Sequence, residues 1–204
     1  MSASRLASAA ALALAGVLAA CDPNGSGRVD ATFSPVQCPP GTTNDALEDY
    51  GWDAGYFATT RFYDVLILYV QQYRAERNES DSVGIRLELD DLVRAGQLVS
   101  DGIYYQPTAY PFVVAVGDTS TTAQVNLHLY DSCPRLPGYA ALSGEVSFDT
   151  FRIRVDGEKT GQNEEVVGQV RTASLGYPEA PAPIGTLEAS FDFFPPTRTL
   201  AEPK

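Results

Sequence analysis

The sequence predicts an all-β fold, either an antiparallel β-sandwich or a flattened, partly open barrel of about seven or eight strands. Three observations favour this class. Several segments alternate between apolar and polar residues with a period of two, turn-forming residues separate them, and no long amphipathic helical pattern occurs. A chain of 204 residues is long enough for one domain with a substantial core.

The three clearest predicted strands are Val83–Leu89, Thr121–Tyr130 and Leu187–Phe193. Each places apolar side chains on one face and polar side chains on the other, as antiparallel sheets with one solvated face do. Shorter or less regular patterns predict further strands over Pro111–Val116 and Val166–Leu175. These segments together would supply most of the core.

The segment Leu142–Gly157 changes the phase of its alternation. Val146 and Phe148 are apolar in one phase, whereas Phe151 is apolar in the other. A one-residue slip would turn every later side chain to the opposite face of the sheet. We therefore predict a bulge or bend near Asp149 that keeps both halves facing one core.

Four segments are less regular. Thr60–Tyr73 is apolar on every side at its centre and could be a core strand or a buried helix; its Val, Ile and Tyr content favours a strand. Asp45–Trp52 and Asp91–Gln97 are predicted to form short helical turns. The proline-rich segment Tyr177–Gly185 is predicted to be a loop between the last two strands.

The amino-terminal segment is apolar from Leu6 to Ala20 and follows one basic residue, Arg5. As a helix it would be about 22 Å long, which is short of the roughly 30 Å hydrocarbon core of a bilayer. A basic residue, a short apolar region and small residues at its end are typical of a cleavable export signal.

The end of that segment, Leu18-Ala19-Ala20-Cys21, resembles the lipobox of bacterial lipoproteins. The resemblance implies that residues 1–20 are a signal peptide and that the Cys21 thiol carries lipid. It also implies a location in the bacterial cell envelope, where the protein would be membrane-anchored and face the periplasm or the cell surface. The alternative is an ordinary secretory signal with a chance cysteine.

If Cys21 carries lipid, Cys38 and Cys133 remain as an even pair. Export places them in an oxidising compartment, where a disulfide is expected. Closing a loop of this length would stabilise the fold by about 4–5 kcal/mol in a chain-entropy treatment. Two free thiols, or a pair of metal ligands, are the alternatives.

Residues 21–44 are rich in Gly, Pro, Ser and Thr and are predicted to be a flexible tether that joins the lipid to a single β-rich domain, residues 45–204. A calcium-loop-like spacing occurs in this tether at Asp22, Asn24, Ser26 and Asp30. Phe33 occupies the position where a calcium loop needs a bidentate glutamate, so a linker is the preferred interpretation and no metal site is predicted.

The formal net charge of −12 disfavours binding to nucleic acid, because phosphates would be repelled. No Walker, Rossmann or nucleophile-elbow motif occurs, and no cofactor is predicted. The sequence therefore indicates an interaction with the membrane through lipid, with a protein or glycan as a further partner.

Few residues are candidates for a functional site. The only histidine, His128, lies in the polar phase of its strand. Tyr104, Tyr105 and Tyr110 could form an aromatic binding face. Two acidic stretches could supply paired carboxylates for hydrolysis; they contain Asp45, Glu48, Asp49, Asp53, Glu88, Asp90 and Asp91. We expect a binding or structural interaction module, with an envelope hydrolase or a module that binds sugar or an apolar ligand as alternatives.

Overall fold

Twelve β-strands and one six-residue helix make up the described part of the chain. The structure is a computed structural model, and it describes residues 25–33, 49–73, 80–117, 120–130, 138–155, 164–177 and 180–195. In chain order the elements are β1 (Gly25–Phe33), β2 (Asp49–Ala54), β3 (Tyr56–Phe62), β4 (Val65–Gln71), β5 (Ser82–Glu88), α1 (Leu89–Arg94), β6 (Leu98–Ser100), β7 (Tyr104–Pro107), β8 (Phe112–Gly117), β9 (Ala123–His128), β10 (Tyr139–Arg154), β11 (Glu165–Tyr177) and β12 (Ala180–Phe193). Among these residues, no helix has the length and apolar character needed to cross a bilayer.

The predicted all-β, antiparallel, sandwich-like class is confirmed. The main path of the sheet runs β2-β1-β12-β11-β10-β9-β5-β4-β3. The long strand β10 joins the two halves, because one edge pairs with β11 and the other edge pairs in turn with β9, β8 and β7. Only Gly55 separates β2 from β3, so the chain passes directly from one end of the path to the other. The sheet therefore curls around a common core.

Phenylalanine side chains fill much of this core. The ring of Phe148 contacts those of Phe112, Phe151 and Phe191, with centroid separations of 5.5, 5.0 and 6.0 Å. All four side chains are almost fully buried. Aromatic pairs of this kind contribute about 0.5–1.5 kcal/mol each beyond the burial of their area.

Two glycines make room for these rings. Phe191 of β12 lies between Gly27 of β1 and Gly168 of β11 in the sheet register. A Cβ atom at Gly168 would lie 3.0 Å from Phe191 and 3.1 Å from Phe148, and one at Gly27 would lie 3.2 Å from the ring of Phe57. Small residues at these two positions therefore allow the large rings to meet.

The predicted phase change in β10 is confirmed. The pairing of β10 with β11 shifts register between Phe148 and Thr150, and both Phe148 and Phe151 point into the core. Two earlier shifts, which the alternation in the sequence does not show, lie between Ala141 and Gly144, and the φ of 147° at Gly144 favours glycine. These register shifts let one strand of 16 residues follow a curved sheet.

Several predicted elements are confirmed and others are wrong. Thr60–Tyr73 contains the strand β4, and α1 begins two residues before the predicted turn at Asp91–Gln97. The predicted helical turn over Asp45–Trp52 is wrong in its described part, because Asp49–Trp52 belongs to β2. The structure has more strands than the sequence pattern predicted. One reason is that β6 and β7, with three and four residues, are too short to show a period-two pattern.

The predicted tether is wrong over Gly25–Phe33. These nine residues form β1, which is hydrogen-bonded between β12 and β2. Val29, Ala31 and Phe33 are buried, so the strand contributes one apolar face to the core. The other residues of the predicted tether, 21–24 and 34–44, lie outside the described part of the chain.

The predicted loop over Tyr177–Gly185 is also wrong for most of its length. Strand β11 continues to Tyr177 and β12 already begins at Ala180. Tyr177 pairs with Ala180, and Leu175 pairs with Gly185. Pro181 and Pro183 of β12 therefore lie at an irregular end of the ladder, close to the register shift between Leu175 and Tyr177.

A buried carboxylate links β2, at one end of the sheet path, to the neighbouring strands β5 and β9. The Asp81 Oδ1 atom accepts a hydrogen bond of 2.6 Å from the backbone N–H of Tyr130, which follows β9. The Tyr50 hydroxyl group on β2 donates to Oδ2 of the same carboxylate. Asp81 is only 6% exposed, so these bonds replace most of the water that a carboxylate needs.

Candidate functional site

The tyrosines that the sequence suggested as a binding face are mostly buried. Tyr104 and Tyr105 are consecutive in β7, so their side chains leave opposite faces of the strand, and they are 8% and 6% exposed. The guanidinium group of Arg152 lies 4.1 Å from the ring centroid of Tyr104, and that of Arg61 lies 5.1 Å from the ring of Tyr105. These cation–π contacts cover both rings.

Tyr110 is half exposed, but its hydroxyl group is held by the main chain. This group donates to the carbonyl oxygen of Phe151 and accepts from the backbone N–H of the same residue, both at 3.1 Å. The three tyrosines therefore do not form one exposed aromatic face, and the predicted binding face is wrong.

The calcium-loop-like spacing does not form a loop in its described part. Ser26 and Asp30 both lie in the extended strand β1, and the Asp30 carboxylate is paired with Arg28 at 2.7 Å. Asp22 and Asn24 lie outside the described residues, as do Cys21, Cys38 and Cys133. Within the described ranges, no group of three His, Cys, Asp or Glu side chains could hold a metal ion.

Three of the described acidic side chains in the two candidate stretches are engaged with arginine. Asp53 pairs with Arg28 at 3.0 Å, and Glu88 and Asp91 pair with Arg86 and Arg94. Asp45 and Glu48 lie outside the described residues. The arrangement therefore gives these acids surface ion pairs instead of a shared cleft.

A groove crosses the outer face of β4, β5 and β9. Its volume is about 240 Å³, and its lining residues are Ile67, Tyr69, Ser82, Gly84, Arg86, Asn126 and His128. All seven belong to the solvent-facing phase of their strands or to strand ends. The alternation that directs apolar side chains into the core therefore directs these side chains outward, where they line the groove.

Glycine forms the floor of this groove. In the sheet register Gly84 of β5 lies between Tyr69 of β4 and Asn126 of β9. A Cβ atom at Gly84 would lie 3.8 Å from the Tyr69 ring, at ordinary van der Waals distance. The missing side chain leaves a depression with an aromatic wall on one side and an amide on the other.

Polar groups converge on the same depression. The Nε2 atom of His128 is buried and has no hydrogen-bond partner among the described residues. The Arg86 guanidinium group is oriented by Glu88 and by a 3.4 Å contact to the Gln124 amide oxygen. The groove thus offers an amide and a guanidinium beside an aromatic face, a combination that suits a small-ligand site.

A second depression lies on the outer face of β1, β11 and β12. Its volume is about 290 Å³, and its walls include Ser26, Ser190 and the acidic residues Asp149 and Asp192. Its lining contains no tyrosine on which a ligand ring could stack. The groove over Gly84 is therefore the stronger candidate for ligand binding.

Only one residue of this groove was predictable from its sequence pattern. The alternation predicts His128 on the polar face of its strand, and the structure confirms that position. Gly84 was missed, although a glycine inside an alternating strand is itself a signal of close approach or an open site. Comparison of the chain with known protein families, with curated proteins and with solved structures finds no match.

Proposed function

We propose that this chain is a bacterial cell-envelope lipoprotein whose β domain binds a small hydroxylated ligand, such as a sugar, in the groove over Gly84. The similarity of Leu18-Ala19-Ala20-Cys21 to a lipobox supports the anchor. Several acyl chains on one cysteine would give stable membrane attachment, where a single chain gives only marginal attachment.

The composition of the groove supports the binding function. Sugars present alternating apolar faces and hydroxyl groups, and the groove pairs the Tyr69 ring with polar groups of Asn126 and His128. The Tyr69 ring beside the open floor at Gly84 carries the argument, because a sugar ring could stack there while Asn126 supplies a hydrogen-bonding amide. A volume of 240 Å³ suits one ring better than a long chain.

The cysteine assignments form part of the same proposal. Lipid on Cys21 would leave Cys38 and Cys133 to form a disulfide in the oxidising envelope. Peptide mapping without reduction should find a fragment in which Cys38 and Cys133 are linked. Recovery of both as free thiols would contradict the pairing.

The anchor can be tested with Cys21→Ser. The wild-type protein should incorporate labelled palmitate and partition into detergent, and this variant should do neither. Cys38→Ser is the matched control, because it removes a different thiol and should leave the label in place. A Cys21→Ser protein that still carries lipid would refute the anchor.

The groove can be tested by titrating the purified domain with a panel of monosaccharides and disaccharides under calorimetry. Gly84→Ala should fill the floor, and Asn126→Ala should remove a polar partner, so each should weaken binding at least about tenfold, a change that corresponds to 1.4 kcal/mol. Gln169→Ala, on the outer face of β11, is the control and should bind as the wild type does. The proposal fails if no sugar binds, or if the groove variants bind as well as the control.

A further inference from the structure

One end of the domain carries a cluster of exposed apolar side chains, here called the aromatic end. It comprises Phe62 and Tyr63 at the β3–β4 turn, Ile103 before β7 and Phe194 after β12. They are 65%, 80%, 52% and 59% exposed. Isolated surface hydrophobic residues are common, but a cluster of this exposure at one end of a domain marks a candidate contact surface.

The sheet register places these residues together. Phe193, which precedes Phe194, pairs with Gly25 of β1 and with Val166 of β11, and Val166 pairs with Phe151 of β10. Strand β10 continues past this row to its end, where the backbone N–H of Val155 donates to the Ile103 carbonyl at 2.7 Å. Ile103 therefore lies beside the end of β10, beyond the register row formed by Gly25, Phe193, Val166 and Phe151.

Arg61 attaches the β3–β4 turn to the same end of β10. Its guanidinium group donates to the carbonyl oxygens of Arg154 and Val155, and its Nε atom donates to the carbonyl of Tyr63 at 2.9 Å. Tyr63 has a φ of 56°, a left-handed conformation that aromatic residues rarely adopt. The turn thus holds the two rings outward, and they contact each other edge to face at 4.5 Å.

The distance between Cys21 and the aromatic end indicates the kind of partner that this end contacts. Gly25 is four positions after Cys21, so an extended chain between them spans at most about 14 Å. Val155 is likewise four positions after Phe151, which lies in the row of Gly25, and this corresponds to about 13 Å along the strand. A lipid on Cys21 would therefore lie within reach of the plane of the aromatic end.

We infer that the aromatic end rests on the surface of the bilayer that holds the lipid, with Phe62 and Tyr63 in the interfacial region. This inference depends on the proposed anchor at Cys21. Tyrosine favours the interface between headgroups and hydrocarbon because it combines an apolar ring with a polar hydroxyl group, and Phe62 adds apolar area beside Tyr63. Acidic residues, among them Asp64 and Asp90, lie near this end, so anionic headgroups would be repelled and the contact would favour neutral lipid.

The opposite end of the domain provides a matched control. Tyr130 is 45% exposed and follows β9, whose Leu127 pairs with Tyr139 at the start of β10. Tyr139 and Phe151 are twelve residues apart on β10, which corresponds to a distance on the order of 40 Å. A membrane contact at the aromatic end would leave Tyr130 in water.

The experiment compares Tyr63→Trp with Tyr130→Trp in the full-length lipidated protein, reconstituted into phosphatidylcholine vesicles with brominated acyl chains. The native Trp52 is 4% exposed and contributes the same background to both variants. We expect the brominated lipid to quench the added fluorescence of Tyr63→Trp at least twofold more than that of Tyr130→Trp. Phe62→Trp serves as a second reporter at the aromatic end.

The possible results separate this inference from the anchor. Protein that sediments with the vesicles but shows equal quenching at both ends would refute the membrane contact and leave the anchor intact. A protein partner at the aromatic end would give that same result. Protein that does not sediment with the vesicles would refute the anchor and, with it, the contact.

Discussion

Adding one methyl group at Gly168 should disrupt the phenylalanine core. The new Cβ atom would lie 2.5 Å from the carbonyl oxygen of Ser147, 3.0 Å from Phe191 and 3.1 Å from Phe148. The first contact is with backbone and the other two are with buried rings, so the neighbours can yield only if the core rearranges. Overpacking of this kind costs about 1–3 kcal/mol. Alanine has a lower conformational entropy than glycine in the unfolded chain, and this difference offsets about 0.4–1 kcal/mol of that cost.

We therefore expect Gly168→Ala to lower the free energy of unfolding by about 1–2 kcal/mol. Urea denaturation, followed by the fluorescence of the single tryptophan Trp52, measures this change. The control is Gly84→Ala, because its Cβ atom would meet only the Tyr69 ring at 3.8 Å. This variant should be as stable as the wild type or more stable by up to about 1 kcal/mol.

The paired design separates packing from chain entropy. If Gly168→Ala has the stability of the wild type, the rings are not packed as described. If both variants lose the same stability, the effect comes from replacing glycine in any strand, and the argument from contact distances is wrong. Gly84→Ala also connects stability with function, since it should impair ligand binding without weakening the fold.

Two further predictions concern buried polar groups. Asp81→Ala should lower the free energy of unfolding by about 3 kcal/mol, because it leaves the N–H of Tyr130 and the hydroxyl group of Tyr50 without their acceptor. Denaturation in urea measures this loss, and a stability equal to that of the wild type would contradict the role of the carboxylate. Burial, together with the charge and hydrogen bond of Tyr177, raises the pKa of Tyr139 to about 12 from 10.0. A raised pKa means that the neutral phenol stabilises the fold below pH 10 and that this contribution disappears as the pH rises from 10 to 12. Tyr139→Phe should therefore lose less stability than the wild type over that range, and identical pH profiles would rule out the linkage.

The sequence predicted the elements whose burial is regular. Strands β5, β9 and the second half of β12 alternate cleanly, because each has one face on the core and one in water. The bulge after Phe148 was also predictable, since a phase change in the apolar pattern has few other physical causes.

Strand β1 was missed even though its signal was present. Val29, Ala31 and Phe33 alternate with Asp30 and with a threonine, as a half-buried strand should. Glycine, serine and proline around this segment outweighed the pattern, because they are typical of linkers. The segment forms a strand because it is hydrogen-bonded on one side to β12, from the other end of the chain, and on the other side to β2.

The groove could not be predicted as a unit. Its residues lie on three strands, and only the pairing of β4 with β5 and of β5 with β9 places Tyr69, Gly84 and Asn126 in one row. Tyr104 and Tyr105 illustrate the opposite error, because sequence alone does not show that arginines from other strands cover their rings.

Local patterns in the sequence were sufficient to predict the all-β class, the inward and outward faces of the regular strands and a candidate anchor at Cys21. These features depend on local composition and on the two-residue period of a strand, which can be read over a few neighbouring positions. Other features follow from strand pairing in the tertiary structure. Pairing with β12 places β1 in the sheet, and pairing among β4, β5 and β9 forms the groove at Gly84. Pairing also brings the exposed Phe62, Tyr63 and Phe194 to the same end as Gly25. Each of these depends on pairing between strands that are distant in sequence, and backbone hydrogen bonding leaves the choice of partner to the packing of the whole core.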